Sequence, residues 1–135
     1  MAKKKTLEDK LLFAQQGELD AVLLYNTMAK KVRRKNPELA ETFKKVAASE
    51  GQHANVCKKL TGKSGLRPSP LKAIAVSSIY KVSPKLAFQL LVDGEFDAAR
   101  DYMPIVRECP DIRPVMLDEI EHGKIFQECI EKYCK

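Results

Sequence analysis

A nine-residue segment occurs twice in this chain. Gly17-Glu18-Leu19-Asp20-Ala21-Val22-Leu23-Leu24-Tyr25 returns as Gly94-Glu95-Phe96-Asp97-Ala98-Ala99-Arg100-Asp101-Tyr102. Each copy is followed by a Glu-x-x-His, first Glu50-Gly51-Gln52-His53 and then Glu119-Ile120-Glu121-His122. Self-similarity of this kind marks a tandem repeat of one supersecondary unit, here a pair of helices. Two amphipathic hairpins in one chain have to bury their apolar faces against each other, so the repeat points to a helix bundle.

Helical spacing supports that reading along the whole chain. Thr6 before Leu7-Glu8-Asp9 reads as an N-cap followed by acids in the first turn. The first helix, about residues 7–35, carries Leu11, Ala14, Glu18, Ala21, Val22, Tyr25, Ala29 and Val32 at spacings of three and four. Asn36-Pro37 ends it and starts the second helix, about 37–61, with Asn as cap and Pro at the first position. Its inner stripe is Leu39, Phe43, Val46, Glu50, His53, Cys57 and Leu60, and Thr61-Gly62 closes it.

Residues 62–83 hold Gly62, Gly65, Pro68 and Pro70, then an apolar run from Leu71 that suits a short helix or an extended segment. A connection this long inside a compact domain suits a crossover along the bundle, which lets the second and third helices run parallel. Ser83-Pro84 caps the third helix, about 84–108, with the stripe Ala87, Leu91, Glu95, Ala98, Tyr102 and Ile105. Cys109-Pro110 and Arg113-Pro114 bracket a turn. The fourth helix, about 112–133, carries Val115, Glu119, His122, Phe126, Cys129 and Tyr133. The expected fold is therefore all-α: a single domain over residues 1–135, four helices, and a long crossover between helices two and three.

Composition narrows the function classes. Only 7% of the 135 residues are aromatic and Trp is absent, as suits a helical protein. The net charge of +6 comes from lysines scattered among acids. The one tight cluster, Lys3-Lys4-Lys5, lacks interleaved aromatics and reads as a solvated end, so no nucleic-acid partner is expected. No apolar signal segment opens the chain and no run reaches the roughly 18 apolar residues of a membrane span. A soluble, cytoplasmic protein with no membrane partner is the expectation. Cys57, Cys109, Cys129 and Cys134 show no C-x-x-C spacing. They are expected reduced, with Cys57 and Cys129 buried and Cys134 exposed.

The chemistry lies in the acids and histidines on the apolar stripes. Positions i and i+3 of a helix share one face, so the Glu and His of each motif can converge on one metal ion. Glutamate fills about 8% of positions, and chance puts it three residues before both of the chain's only histidines in under about 1% of cases. Burying one uncompensated carboxylate costs several kcal/mol, so four on core stripes are incompatible with a marginally stable domain. Two divalent cations balance them. Glu18, Glu50, His53, Glu95, Glu119 and His122 thus form the ligand set of a carboxylate-bridged dimetal centre. Its oxygen–nitrogen donors suit Fe, with Mn or a mixed pair also compatible.

For Tyr25 and Tyr102, two turns beyond Glu18 and Glu95, two readings are open. One is aromatic core packing; the other is a hydroxyl donating to a ligand carboxylate on a neighbouring helix and fixing its orientation. Asp20 and Asp97 point away from the ligand face by about 200° and read as helix-surface acids.

Glu18…Tyr25, Glu50-x-x-His53, Glu95…Tyr102 and Glu119-x-x-His122 together resemble the di-iron domain of the rubrerythrin family, over roughly residues 7 to 133. The resemblance implies a ferritin-like four-helix bundle, often a homodimer, and a di-iron centre that reacts with hydrogen peroxide or dioxygen. It also implies that Glu18 and Glu95 are the lone ligands, completed by the two Glu-x-x-His pairs. Rubrerythrins carry a further glutamate one turn after the third-helix ligand, where this chain has Ala98. They also append a rubredoxin domain with two C-x-x-C pairs, and this chain has neither pair. The form is similar to stand-alone erythrins and to the ferritin-like domain fused to some iron-transport membrane proteins.

The resemblance makes the expected function that of an enzyme, a di-iron peroxidase or oxidoreductase. It would reduce hydrogen peroxide, or dioxygen, with electrons from an external donor such as a rubredoxin-like protein. Ferroxidase or iron handling is the alternative enzyme reading, and a metal-stabilised bundle the non-enzymatic one. Leu91, Phe43, Val46 and Phe126 are the candidates for a dry wall beside the metals.

Overall fold

The computed structural model describes residues 5–134, of which Lys3 and Lys4 of the N-terminal lysine cluster are not part. Five α-helices and a short 3-10 turn account for almost all of the described chain. They are α1 (Leu7–Val32), α2 (Pro37–Thr61), α3 (Leu71–Val82), α4 (Pro84–Glu108) and α5 (Arg113–Tyr133), with the turn at Pro110–Ile112 before α5. Four long helices form the bundle, and α3 is the helical part of the crossover.

Local sequence sets each boundary. The Thr6 hydroxyl accepts from the Asp9 amide while the Asp9 carboxylate accepts from the Thr6 amide, a reciprocal capping box at 3.1 Å each. The Asn36 and Ser83 side chains cap α2 and α4, each with Pro at the first helical position. Gly62 ends α2 at φ 71°, a left-handed conformation that a Cβ would strain. The first helix stops at Val32 rather than 35, because Arg33–Lys35 already turn towards the Asn36 cap.

Pairs of touching side chains give the topology. Glu18 meets Tyr102 and Tyr25 meets Glu95, so α1 and α4 run antiparallel. Gln15 meets Thr61 and Glu18 meets His53, so α1 and α2 are antiparallel as well. It follows that α2 and α4 run parallel, which requires the crossover. Residues 62–70 are held by polar groups of α1. Gln15 donates to the Lys63 carbonyl at 2.7 Å, Gln16 to the Arg67 carbonyl at 2.8 Å, and the Ser69 amide donates to Asp20 at 2.7 Å. Ala73 and Val76 then bury α3 against the bundle.

The structure corrects two expectations. Asp20 is only 9% exposed and lies beneath the crossover, accepting from both Gln16 and Ser69. Its counterpart Asp97 is the surface acid expected, paired with Arg100. Leu60 is also not an inner residue. It is 47% exposed in the last turn of α2, where neighbouring Thr61 closes the inner face by bonding to Gln15.

The apolar core has two parts. One holds Tyr25, Met28, Leu39, Phe43, Phe88, Leu91 and Phe126. The other holds Leu11, Cys57, Tyr102, Ile105, Ile112 and Val115. All four cysteines are free; Cys57 and Cys129 are buried, whereas Cys134 is half-buried rather than exposed. Among the described residues, no helix is long and apolar enough to cross a membrane.

Candidate metal centre

The six predicted ligands meet between the two parts of the core, each 5% exposed or less. Glu18 comes from α1, Glu50 and His53 from α2, Glu95 from α4, and Glu119 and His122 from α5. Two groups of donors form. In one, atoms of Glu18, Glu50, His53 and Glu119 all lie within 4.8 Å of one another; in the other, atoms of Glu50, Glu95, Glu119 and His122 do. Glu50 and Glu119 belong to both, the placement of carboxylates that bridge two ions. The His53 and His122 rings stack at 5.8 Å between centroids.

Six buried polar atoms in this cluster have no hydrogen-bond partner: Glu18 Oε2, Glu50 Oε1, His53 Nδ1, Glu95 Oε2, Glu119 Oε1 and His122 Nδ1. Each expected ligand contributes one. The His53 Nδ1 lies 2.9 Å from Glu119, 3.1 Å from Glu50 and 3.3 Å from Glu18, and one N–H could serve only one of them. Orphaned buried donors and acceptors are costly, and convergent ones are the mark of a cation site. Two divalent cations would match four carboxylates and leave both imidazoles neutral as ligands. The residues fit a dimetal centre.

The electrostatics of the metal-free cluster show how much positive charge it calls for. Burial raises Glu18 from 4.5 to about 7, against the pull of His53. Burial also pushes Glu119 far up, with Glu18, Glu50 and Glu95 adding like-charge repulsion. Glu50 is desolvated too, yet the close imidazoles of His122 and His53 hold it below the usual carboxylate range. For both histidines burial opposes the charge, but the carboxylates outweigh it. Glu119, Glu18 and Glu50 push His53 well above its ordinary value, and Glu50 and Glu95 raise His122 to about 9. An imidazole beside so many carboxylates is drawn towards its charged form, the same demand for positive charge that a bound cation would meet.

For the tyrosines the structure favours the hydroxyl reading and also permits the packing one. Tyr25 donates to Glu95 Oε1 at 2.5 Å and Tyr102 donates to Glu18 Oε1 at 2.9 Å, in both cases across the bundle. Each therefore leaves the other carboxylate oxygen, Oε2, for the centre. Tyr25 also stacks on Phe43 and Phe126, and Tyr102 lies 3.6 Å from the Cys57 sulfur. Burial raises the pKa of both phenols far above the ordinary value, so both remain donors.

The sequence reading missed two residues. His53 Nε2 lies 2.9 Å from Asp118 Oδ2, and His122 Nε2 lies 3.1 Å from Ser49 Oγ. A signal for them existed. Each stands one residue before a motif Glu and one turn before the motif His, and antiparallel pairing of the two motif helices lays it over the other motif's imidazole.

A groove of about 890 Å³ leads to the cluster between α1 and α4, with α3 on one side. Glu18, Glu50, Glu95 and Glu119 lie at its floor, and Gly17, Ala21, Gly94, Ala98 and Leu91 form its walls. Leu91 is thus a wall residue as expected. Phe43, Val46 and Phe126 are buried in the larger core instead, behind Tyr25.

No curated protein and no solved structure matches the chain at the significance required. A family model does: that of rubrerythrin, over residues 9–90, which takes in Glu18, Tyr25, Glu50 and His53. The second half of the centre lies wholly beyond that match, and the geometry supplies it, with Glu95, Glu119 and His122 closing on the first three. A helical bundle with this buried carboxylate–histidine cluster fits a di-iron protein, and the chain belongs to the rubrerythrin family.

Proposed function

We propose that the six residues hold two iron ions and that the protein is a di-iron peroxidase. Its substrate on this reading is hydrogen peroxide, or dioxygen, and its electrons come from an external donor such as a rubredoxin-like protein. The observation that carries the reading is the set of six orphaned buried atoms, one per ligand. Two iron ions, when bound, supply the pair of electrons that cleaves the O–O bond.

The chain's own part is positioning and exclusion. Glu50 and Glu119 stand where they can be shared between the ions, and Glu18 with His53, and Glu95 with His122, serve one ion each. Tyr25 and Tyr102 fix the outer oxygens of the lone glutamates and keep them from rotating. Small side chains at Ala21 and Ala98 keep the groove open down to the carboxylates, with no fifth glutamate among its lining residues. Peroxide and water, both small, can pass along it.

A homodimer is part of the proposal. Leu71, Ile74 and Val82 on α3 and Leu86 and Leu90 on α4 are exposed apolar residues that a second copy would cover. Iron handling is a second reading, supported by the groove itself, which would admit Fe(II) to the four carboxylates as a substrate.

Anaerobic loading with Fe(II), followed by peroxide or dioxygen, tests the readings together. Fast oxidation by peroxide with iron retained and turnover under reductant supports the peroxidase. Faster consumption of dioxygen with iron released supports iron handling. A loaded centre inert to both oxidants would leave only a metal-stabilised bundle.

A further inference from the structure

The two halves of the centre differ in what stands behind each imidazole. By the repeat, Ser49 and Asp118 are equivalent positions, each one residue before its motif glutamate. They make equivalent contacts, Asp118 to His53 Nε2 at 2.9 Å and Ser49 to His122 Nε2 at 3.1 Å. One contact is to a carboxylate, the other to a hydroxyl.

Resting on the two-metal reading above, we infer that the metal positions are unequal, and that the position served by His53 and Glu18 binds the tighter ion because Asp118 backs its imidazole. The Nδ1 atoms face the carboxylate cluster, so an ion there takes the Nδ1 lone pair and leaves the ring proton on Nε2. At His53 that proton is donated to a carboxylate, and at His122 to a neutral hydroxyl. A charged acceptor makes a bond roughly twice as strong and draws the proton outwards, which leaves the ring a better electron donor to the ion. The remaining contacts do not offset this difference. Glu50 and Glu119 are shared, and each lone glutamate accepts one tyrosine hydroxyl.

Asp118 is 55% exposed, so solvent screens it and the effect belongs at the low end of the 10- to 100-fold range of such outer contacts, about tenfold. Duplication supplied two copies of the same half-site, and a single position now separates them into a tight and a weak one.

Titration of the metal-free protein with Mn(II), following the free ion by its electron paramagnetic resonance signal, tests the inference. Repulsion between two cations alone separates the binding steps, so variants decide. His122→Ala, which keeps the His53 position, should bind its ion about tenfold tighter than His53→Ala binds its own. Asp118→Asn should weaken the first step of the two-ion protein about tenfold, Ser49→Ala should leave that step unchanged, and Ser49→Asp should strengthen the second. Circular dichroism reads whether each variant is folded; if Asp118→Asn is not, the Ser49→Asp arm stands alone. Equal affinities in the two histidine variants, or no response of the second step to Ser49→Asp, overturn the inference and leave the two-metal reading intact. Failure of the unaltered protein to take up Mn(II), Fe(II) or Co(II) overturns both.

Discussion

Glu50 and Glu119 are the only residues common to both groups of donors, and that sets the consequence of losing either. Glu50→Ala or Glu119→Ala should abolish binding of at least one ion, counted by metal analysis after desalting. Two ions per chain in both variants would refute the ligand assignment. Tyr102→Phe is milder: it removes the donor to Glu18, keeps the ring, and should lower metal affinity about 10-fold with the fold retained. A titration of that variant that matches the unaltered protein would reduce Tyr102 to packing. All six candidate ligands were legible in the sequence because carboxylates and imidazoles on apolar stripes contradict burial energetics unless something compensates them. Ser49 and Asp118 were not singled out, since a Ser and an exposed Asp contradict nothing. Their role arises only when one helix lies antiparallel against another.

Among the elements, α4 and α5 meet closely where Gly123 faces Phe96. A Cβ on Gly123 would lie 2.6 Å from the Phe96 ring, so glycine there is the complement of a large neighbour. The first half of the chain carries Leu19 and Ala54 at the equivalent positions, the one smaller than Phe96 and the other larger than Gly123. Gly123→Ala should therefore destabilise the protein by about 1 kcal/mol, an overpacking cost of about 2 kcal/mol offset by about 1 kcal/mol of helix propensity. Adding Phe96→Leu should recover most of that loss, read from urea midpoints; strictly additive effects would refute the compensation. Helix boundaries were readable to within a few residues from Thr6, Asn36, Gly62 and Ser83, whose effects are local. The path of residues 62–70 was not. Asp20 looked like a surface acid because its partner, the Ser69 amide, arrives from a segment with no periodicity to place it.

For the molecule as a whole, protonation and metal binding pull stability in opposite directions with pH. Glu18 in the metal-free fold has its pKa raised by burial from 4.5 to about 7. The fold then holds a proton that the unfolded chain has lost, and that contribution is full below 4.5 and gone as pH rises through 7. His122, raised from 6.5 to about 9 by Glu50 and Glu95 against the effect of burial, contributes fully below 6.5 and loses that contribution through 9. Glu50, held low, acts in the other sense only below 4.5. The thermal midpoint of the metal-free protein should thus fall from pH 5 to pH 9. Loaded with metal it should rise over the lower part of that range, because protons compete with the ions for the same donors. Parallel curves with and without metal would show that the cluster does not couple to folding. The division of the core gives this coupling a wider meaning. Two apolar clusters, one rich in Phe and one built on Leu11, Ile105 and Ile112, are separated by a layer of acids and imidazoles. Without ions that layer is a fault plane, and each cluster alone is small for a stable domain. On the two-metal reading, the resistance of this chain to proteolysis becomes a reading of metal supply, so that the amount of protein that survives follows the amount of metal it can use.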